Sequence, residues 1–214
     1  VLKYSMINNV KKFIFSSSGG TIYGDIRPDN VPFCETDTYH PQSPYSVSKI
    51  CGEEFINYYR RMWGLNTVIF RYGNVFGPRQ SPWLGYGVCS IFINHMLLGE
   101  KVIVNGDGLQ TRDFIHINDV VEANIKALDP KISGIFNIAS GYETSVLEIV
   151  KELSIIFNKK PEIEYNKELS LEYGPRRSWL DYEKAMLAFD WVPKVSFIDG
   201  LKEMVEYFRR ENNT

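Results

Sequence analysis

Short continuous apolar runs alternate in this chain with stretches of helical rhythm, and that alternation limits the folds open to it. Val10-Lys-Lys-Phe-Ile-Phe-Ser16, Asn66-Thr-Val-Ile-Phe-Arg71 and Gly134 to Ala139 are three such runs. Runs this short, with little polar alternation, suit strands buried on both faces of a parallel sheet. Between them, Ser46 to Gly64 places Ile50, Phe55, Ile56 and Tyr59 at helical intervals and stops at a glycine. Cys89 to Leu98 reads as a helix ended by Gly99, and Arg112 to His116 as extended, with Asn118 placed to cap a helix through Leu128. Ser145 to Phe157 is an amphipathic helix whose Ser145 and Glu148 form a capping-box pattern. Phe197 to Arg210 reads as a final helix, and Val1 to Asn9 as the last turns of another. Ser17 to Pro44, with four prolines, reads as loop. The pattern predicts an α/β fold: a partial doubly wound parallel sheet, followed after residue 140 by a smaller helix-rich lobe.

A complete doubly wound sheet opens with a strand, a glycine-rich turn and a helix that cradle a dinucleotide pyrophosphate. Gly19-Gly20, Gly85-Tyr-Gly87 and Gly106-Asp-Gly108 are the candidates here, and none has GxGxxG spacing between a strand and a helix. The first half of such a fold, roughly 100 residues, is therefore expected to lie outside this chain. The 214 residues suffice for one domain or a domain with a lobe. A net charge of -2 gives no argument for nucleic acid or an anionic membrane as partner. Cys34, Cys51 and Cys89 share no CxxC spacing, which suits reduced thiols in the cytoplasm. His40, His95 and His116 are scattered, so no metal centre is expected, and no apolar run reaches the roughly 18 residues of a membrane span.

Tyr45-Ser-Val-Ser-Lys49 opens the first full helix. Residues four apart share a helical face, so Tyr45 and Lys49 can reach one site. A free tyrosine, with a pKa of about 10, is a poor base at pH 7; a nearby ammonium and a cationic nicotinamide ring would favour its phenolate. By itself the pair reads as a solvated helix face. Its context differs, because Ser16-Ser17-Ser18 ends one buried strand and Arg71-Tyr-Gly-Asn74 leaves the next at the same edge. The carboxyl ends of parallel strands are where open α/β sheets bind ligands.

Ser16-Ser-Ser18 with Ile22-Tyr-Gly24, Gln42-Ser-Pro-Tyr-Ser-Val-Ser-Lys49, Arg71-Tyr-Gly-Asn-Val-Phe-Gly-Pro-Arg79 and Gly106-Asp-Gly-Leu-Gln-Thr-Arg-Asp-Phe-Ile-His116 occur in that order. Together they resemble the extended short-chain dehydrogenase/reductase family, most of all its UDP-glucose 4-epimerases, and the likeness runs from Val1 to the last helix. It implies a Rossmann-type NAD-binding domain, here 1–77 and 114–141, and a nucleotide-sugar-binding lobe, 78–113 and 142–214. It implies NAD as cofactor, with Ser16, Ser17, Tyr45, Lys49 and Gly73 beside it, and a UDP-sugar as substrate. Tyr45 would be the acid/base on the sugar hydroxyl, Lys49 would tune it, and Ser18, the last serine of three, would hold the same oxygen. Asn74, the backbone of Val88 and Cys89, and Arg112 would meet the diphosphate, while Ile103, Val104 and Asn105 would border the uracil.

The reaction so implied is epimerisation at C4 of UDP-glucose or UDP-galactose through a transient 4-keto sugar. Dehydratases of the family carry an Asp-Glu pair where this chain has Gly19-Gly-Thr21, which argues against elimination. Ser178 would line the sugar pocket, and its small size implies room for N-acetyl forms. Leu171 stands where relatives usually place an arginine that reaches the nucleotide. A 4,6-dehydratase or reductase of the same superfamily, and a non-catalytic remnant that binds a nucleotide sugar or a protein, are the alternative readings. Relatives usually dimerise through the helix at Ser46–Gly64 and the one before it, so a homodimer through Ser46–Gly64 is expected.

Overall fold

The computed structural model describes residues 1–25, 32–166 and 175–211; Leu171 lies outside them. Three parallel strands form its centre: β1 (Phe13–Ser18), β2 (Thr67–Tyr72) and, from later in the chain, Gly134–Ile138. The order places β2 in the middle, with Phe13 opposite Thr67 and Ser18 opposite Tyr72. Every residue of β2 is buried, as the apolar run predicts. The strand at 13–18 extends two residues past the predicted end, so Ser17 and Ser18 join Ser16 in it rather than in the expected loop.

Helices follow in chain order: α1 (Leu2–Ile7), α2 (Gly19–Ile22) and α3 (Pro44–Trp63). The four residues of α2 lie where a loop was expected. α3 starts earlier than the predicted Ser46, because Ser43 caps it: Ser43 Oγ accepts from Ser46 N while Ser46 Oγ accepts from Ser43 N, with Pro44 in the first turn. Gly64, at φ 67°, ends α3 as expected. β3 (Asn74–Phe76) leaves β2 and pairs in parallel with a later strand. Then come α4 (Val88–Leu98), β4 (Val102–Asn105), β5 (Thr111–Arg112), β6 (Phe114–His116, the partner of β3) and α5 (Ile117–Lys126). The predicted Asn118 cap of α5 is replaced by His116, whose Nδ1 accepts from Asn118 N at 3.3 Å. β7 is the third central strand, followed by β8 (Thr144–Ser145), α6 (Val146–Phe157), β9 (Ile163–Asn166), α7 (Glu183–Phe189) and α8 (Phe197–Glu211).

β1, β2 and β7 alternate their side chains between two faces. Ile14, Val68, Phe70, Tyr72 and Phe136 pack with α5, α7 and the fully buried Trp191, whose Nε1 donates to Asp119 O at 3.0 Å. The opposite face holds α3, which lies so close that a Cβ on Gly52 would stand 2.6 Å from Phe15 Cζ. Helices on both faces of a parallel sheet make this the expected doubly wound α/β arrangement. A second core joins α4, α6, α8, β4 and Phe114. The lobe after residue 140 is more than helices: β9 pairs in parallel with β4, and β8 pairs antiparallel with β5.

Candidate active site

The carboxyl ends of β1 and β2, the start of α3, the start of α4, and the β4–β5 segment enclose a cavity of about 1100 Å³. Tyr45 sits in the first turn of α3, 53% exposed and at the cavity wall. One turn on, Lys49 Nζ donates to Ser16 O at 2.9 Å and lies 5.3 Å from the centroids of both the Tyr45 and Phe15 rings. The ammonium therefore ties α3 to the end of β1 and stands over the tyrosine that shares its face.

Ser16, Ser17 and Ser18 all line the cavity, but their hydroxyls differ in what they do. Ser17 is buried, and its Oγ donates to Glu53 Oε1 at 2.5 Å, so its proton is held inside the fold. Ser18 Oγ accepts from Thr21 Oγ1 at 3.1 Å, which leaves the Ser18 proton free to turn into the cavity. Gly73 leaves β2 with its backbone pressed against β6: a Cβ there would lie 2.8 Å from Asp113 O. The neighbouring Asn74 donates its N–H to the same oxygen at 2.6 Å, and its side chain is exposed at the wall.

Asp113 fixes this junction. Its buried carboxylate accepts from Ser140 N and Oγ, both at 2.7 Å, from Gly141 N at 3.1 Å and from Leu180 N at 3.3 Å. Burial pushes its carboxyl up to about 6, against the downward pull of those hydrogen bonds.

Another stretch of the cavity wall has a different character. α4 begins at Val88 after Gly87, at φ 91°, with no side chain capping its first turn. Its leading N–H groups are thus available to an anion at the wall that Val88 and Cys89 line. Arg112 lines the same cavity and donates Nη1 to Thr111 O at 2.8 Å. Burial lowers its pKa and only Asp25 opposes that at a distance, so the guanidinium forms no ion pair among the described residues. A desolvated cation beside uncapped helix N–H groups is a site for an anion. Ile103 and Asn105 also line the cavity, where Gln110 Nε2 holds Asn105 O at 2.9 Å.

Two expected residues stand elsewhere. β4 alternates, so Val104 points into the core with α4 and α6 while Ile103 and Asn105 face outward. Ser178 is 1% exposed and off the cavity wall, on the segment whose Leu180 packs against Gly19. Thr21, Gln80, His95, Gln110 and Thr144 line the cavity and went unread in the sequence. Gln80 directly follows the Arg71 to Arg79 motif. Gln110 and Thr144 arrive through the two-residue β5–β8 pairing, which has no signal of its own.

The lined end near Tyr45 fits a nicotinamide riboside: Lys49 keeps ammonium hydrogens beyond the one given to Ser16 O, and Gly73 leaves the floor free of side chains. The sequence pattern of the NAD dependent epimerase/dehydratase family matches residues 1–139. UDP-glucose 4-epimerase of Mycolicibacterium smegmatis is 35% identical over 204 residues, covering 95% of this chain and 64% of that protein. dTDP-D-glucose 4,6-dehydratase of Bos taurus is 34% identical over 206 residues, covering 94% and 56%. The crystal structure of UDP-glucose 4-epimerase with UDP-glucose from Thermotoga maritima superposes with a TM-score of 0.90 at 42% identity, covering 99% of this chain and 67% of that one. The chain thus spans less than two thirds of the length of the first two proteins.

Proposed function

Because this chain belongs to the NAD-dependent epimerase/dehydratase family, we propose that it is the sugar-nucleotide-binding and acid/base part of an epimerase acting at C4 of a UDP-hexose. The observation that carries this reading is one cavity lined by Tyr45, Lys49 and Ser18 and also by Arg112, which forms no ion pair among the described residues. NAD-binding residues would come from 1–77 and 114–141, and the nucleotide sugar would lie against 78–113 and 142–214.

In this reading Arg112 and the leading N–H groups of α4 hold the diphosphate, and Asn74 contacts it from β3. That anchoring carries the hexose to Tyr45. The Tyr45 phenolate oxygen takes the C4 hydroxyl proton, Ser18 Oγ donates to the same sugar oxygen, and Thr21 holds Ser18 in place. When bound, NAD supplies the hydride acceptor and donor for C4. Tyr45 would return that proton to the same oxygen once the sugar presents its other face, so no atom is gained or lost. Lys49 keeps positive charge by the Tyr45 ring throughout.

No Asp or Glu lies among the described residues that line the cavity. Elimination of water from C5 and C6 needs an acid there, so the lining supports epimerisation over dehydration. The proposed substrates are UDP-glucose and UDP-galactose; Ser178, off the wall, gives no support for N-acetyl forms. Calorimetry with UDP-glucose and with dTDP-glucose tests the reading. Binding of UDP-glucose by the chain, undiminished in Tyr45→Phe, is expected; absence of binding would sink it. In a protein that carries the complete dinucleotide site, Tyr45→Phe is expected to abolish turnover of UDP-galactose while binding persists. We also propose self-association through α3, whose Phe55, Met62 and Trp63 are exposed; a monomer by light scattering at high concentration would refute it.

A further inference from the structure

Tyr45, Lys49 and Glu53 follow one another at four-residue intervals on α3 and so share one face. The first two are given roles above, and the third has none. Glu53 is fully buried, and its carboxylate accepts from Arg71 Nε at 3.1 and 3.2 Å, from Arg71 Nη2 at 2.6 Å, from Ser17 Oγ at 2.5 Å and from Tyr39 OH at 3.1 Å. Arg71, 1% exposed at the end of β2, also donates to Tyr23 OH at 2.7 Å, to Tyr39 OH at 2.5 Å and to Glu35 O at 3.1 Å. Tyr23 OH passes the chain to Asn137 Oδ1 on β7 at 3.0 Å. One carboxylate on α3 is thus bonded to β1 and β2 directly and to β7 through two side chains.

Such a pair is a poor source of stability, since apolar residues of similar volume often serve as well. Its distinctive property is direction. A fork of guanidinium hydrogens meets a carboxylate at one rotation and one depth, whereas apolar side chains tolerate sliding. Gly52, the preceding residue, lets α3 rest on Phe15 at close range, which sets the distance between helix and strand but not the rotation about the helix axis. Rotation decides whether the Lys49 ammonium arrives at Ser16 O.

We propose that Glu53, gripped by Arg71, is a positioning residue that sets the rotation and depth of α3 on β1 and thereby delivers Lys49 to Ser16 O and Tyr45 to the cavity. This rests on the reading of Tyr45 and Lys49 as the acid/base pair. It assigns a task to a buried ion pair that touches neither sugar nor cofactor.

The test is lysine acylation by a water-soluble ester, read by peptide mass spectrometry on the 214-residue chain. Lys12, bonded to Asn66 Oδ1 and the Ile132 carbonyl near the start of β1, is the internal reference, and the exposed Lys159 is the unprotected standard. In the wild type Lys49 reacts more slowly than Lys159. In Glu53→Gln and Arg71→Lys the Lys49 rate rises about fivefold, what release of one hydrogen bond allows, while Lys12 holds its rate. A parallel rise at Lys12 means that the whole sheet has loosened and overturns the proposal, as does an unchanged Lys49 rate. Where Glu53→Gln does not fold, Glu53→Asp, which keeps the charge but shortens the arm, must raise the Lys49 rate in the same direction or the proposal falls. Wild-type Lys49 as reactive as Lys159 overturns the Tyr45–Lys49 reading itself; protection in the wild type with no response in the variants overturns only the role of Glu53.

Discussion

A Cβ placed on Gly20 would stand 2.8 Å from Asn74 Oδ1. The first turn after β1 and the first residue of β3 are therefore in contact through a side-chain amide at the cavity wall. Gly20→Ala is expected to push that amide aside rather than break the fold, because the obstacle is the end of a rotatable side chain. UDP-glucose affinity should fall about tenfold, or ~1.4 kcal/mol, with the melting temperature nearly unchanged. Calorimetry and a thermal scan check this; unchanged affinity would remove Asn74 from the binding surface.

Arg112→Met separates anion binding from general packing. The guanidinium is desolvated and bonded only to Thr111 O among the described residues, so its removal should cost the fold nothing. UDP affinity should drop about thirtyfold, the ~2 kcal/mol of charged hydrogen bonds to a diphosphate. Uridine affinity should change by less than about threefold. Equal losses for the two ligands would show that Arg112 does not read the diphosphate.

Gly52→Ala sets two opposed effects against each other. Alanine in a helix interior gains ~1 kcal/mol over glycine. Against that, the new methyl meets the Phe15 ring at 2.6 Å, and overpacking costs about 1–3 kcal/mol. Net destabilisation is expected by urea denaturation, with recovery when Phe15→Leu is added. Stabilisation by the single substitution would mean that α3 sits farther from β1.

Asp113 predicts a pH dependence of stability. Its carboxyl is raised from 3.8 to about 6 by burial, so the folded protein holds the proton more tightly than the unfolded chain. The stability from this group is fully present below about 4 and is lost as pH rises through about 6, a span of about 3 kcal/mol. His116 works in the other direction, since burial lowers its pKa and stability is lost when acid charges it in the unfolded chain. Comparing wild type with Asp113→Asn isolates the first effect. The variant is less stable overall, because its Nδ2 would face the Gly141 or Leu180 N–H, and the wild-type-minus-variant difference should shrink from pH 4 to pH 7. A constant difference would refute the elevated carboxyl.

How much of this was legible in the sequence follows from the range of each signal. The Ser145–Glu148 capping box is local, and it is present with Ser145 N donating to Glu148 Oε2 at 2.6 Å. Tyr45 and Lys49 share a face of α3, which helical spacing alone makes legible. The start of α3 is harder to place, because Ser43 and Ser46 form one reciprocal cap and only the backbone angles say that Ser43 stands outside the helix. Val104 was misjudged because a period of two cannot be seen in a four-residue strand whose partner, β9, lies about 60 residues away. Arg71 carried an unread warning: an arginine closing the apolar run Val68-Ile-Phe70 must find an anion, and Glu53 was waiting one helical turn after Lys49.

Trp191 gives the fold an optical handle. Its indole is wholly enclosed beside Tyr182, whereas Trp83 is 77% exposed near the cavity and Trp63 is 47% exposed at the end of α3. In a Trp179→Phe variant, which removes the half-buried fourth indole, emission from Trp191 should survive acrylamide quenching that silences the other two, and should shift to longer wavelength only when the α5–α7 face of the sheet opens. A single fluorescence cuvette can thus follow that face of the sheet apart from the rim of the cavity, without any label.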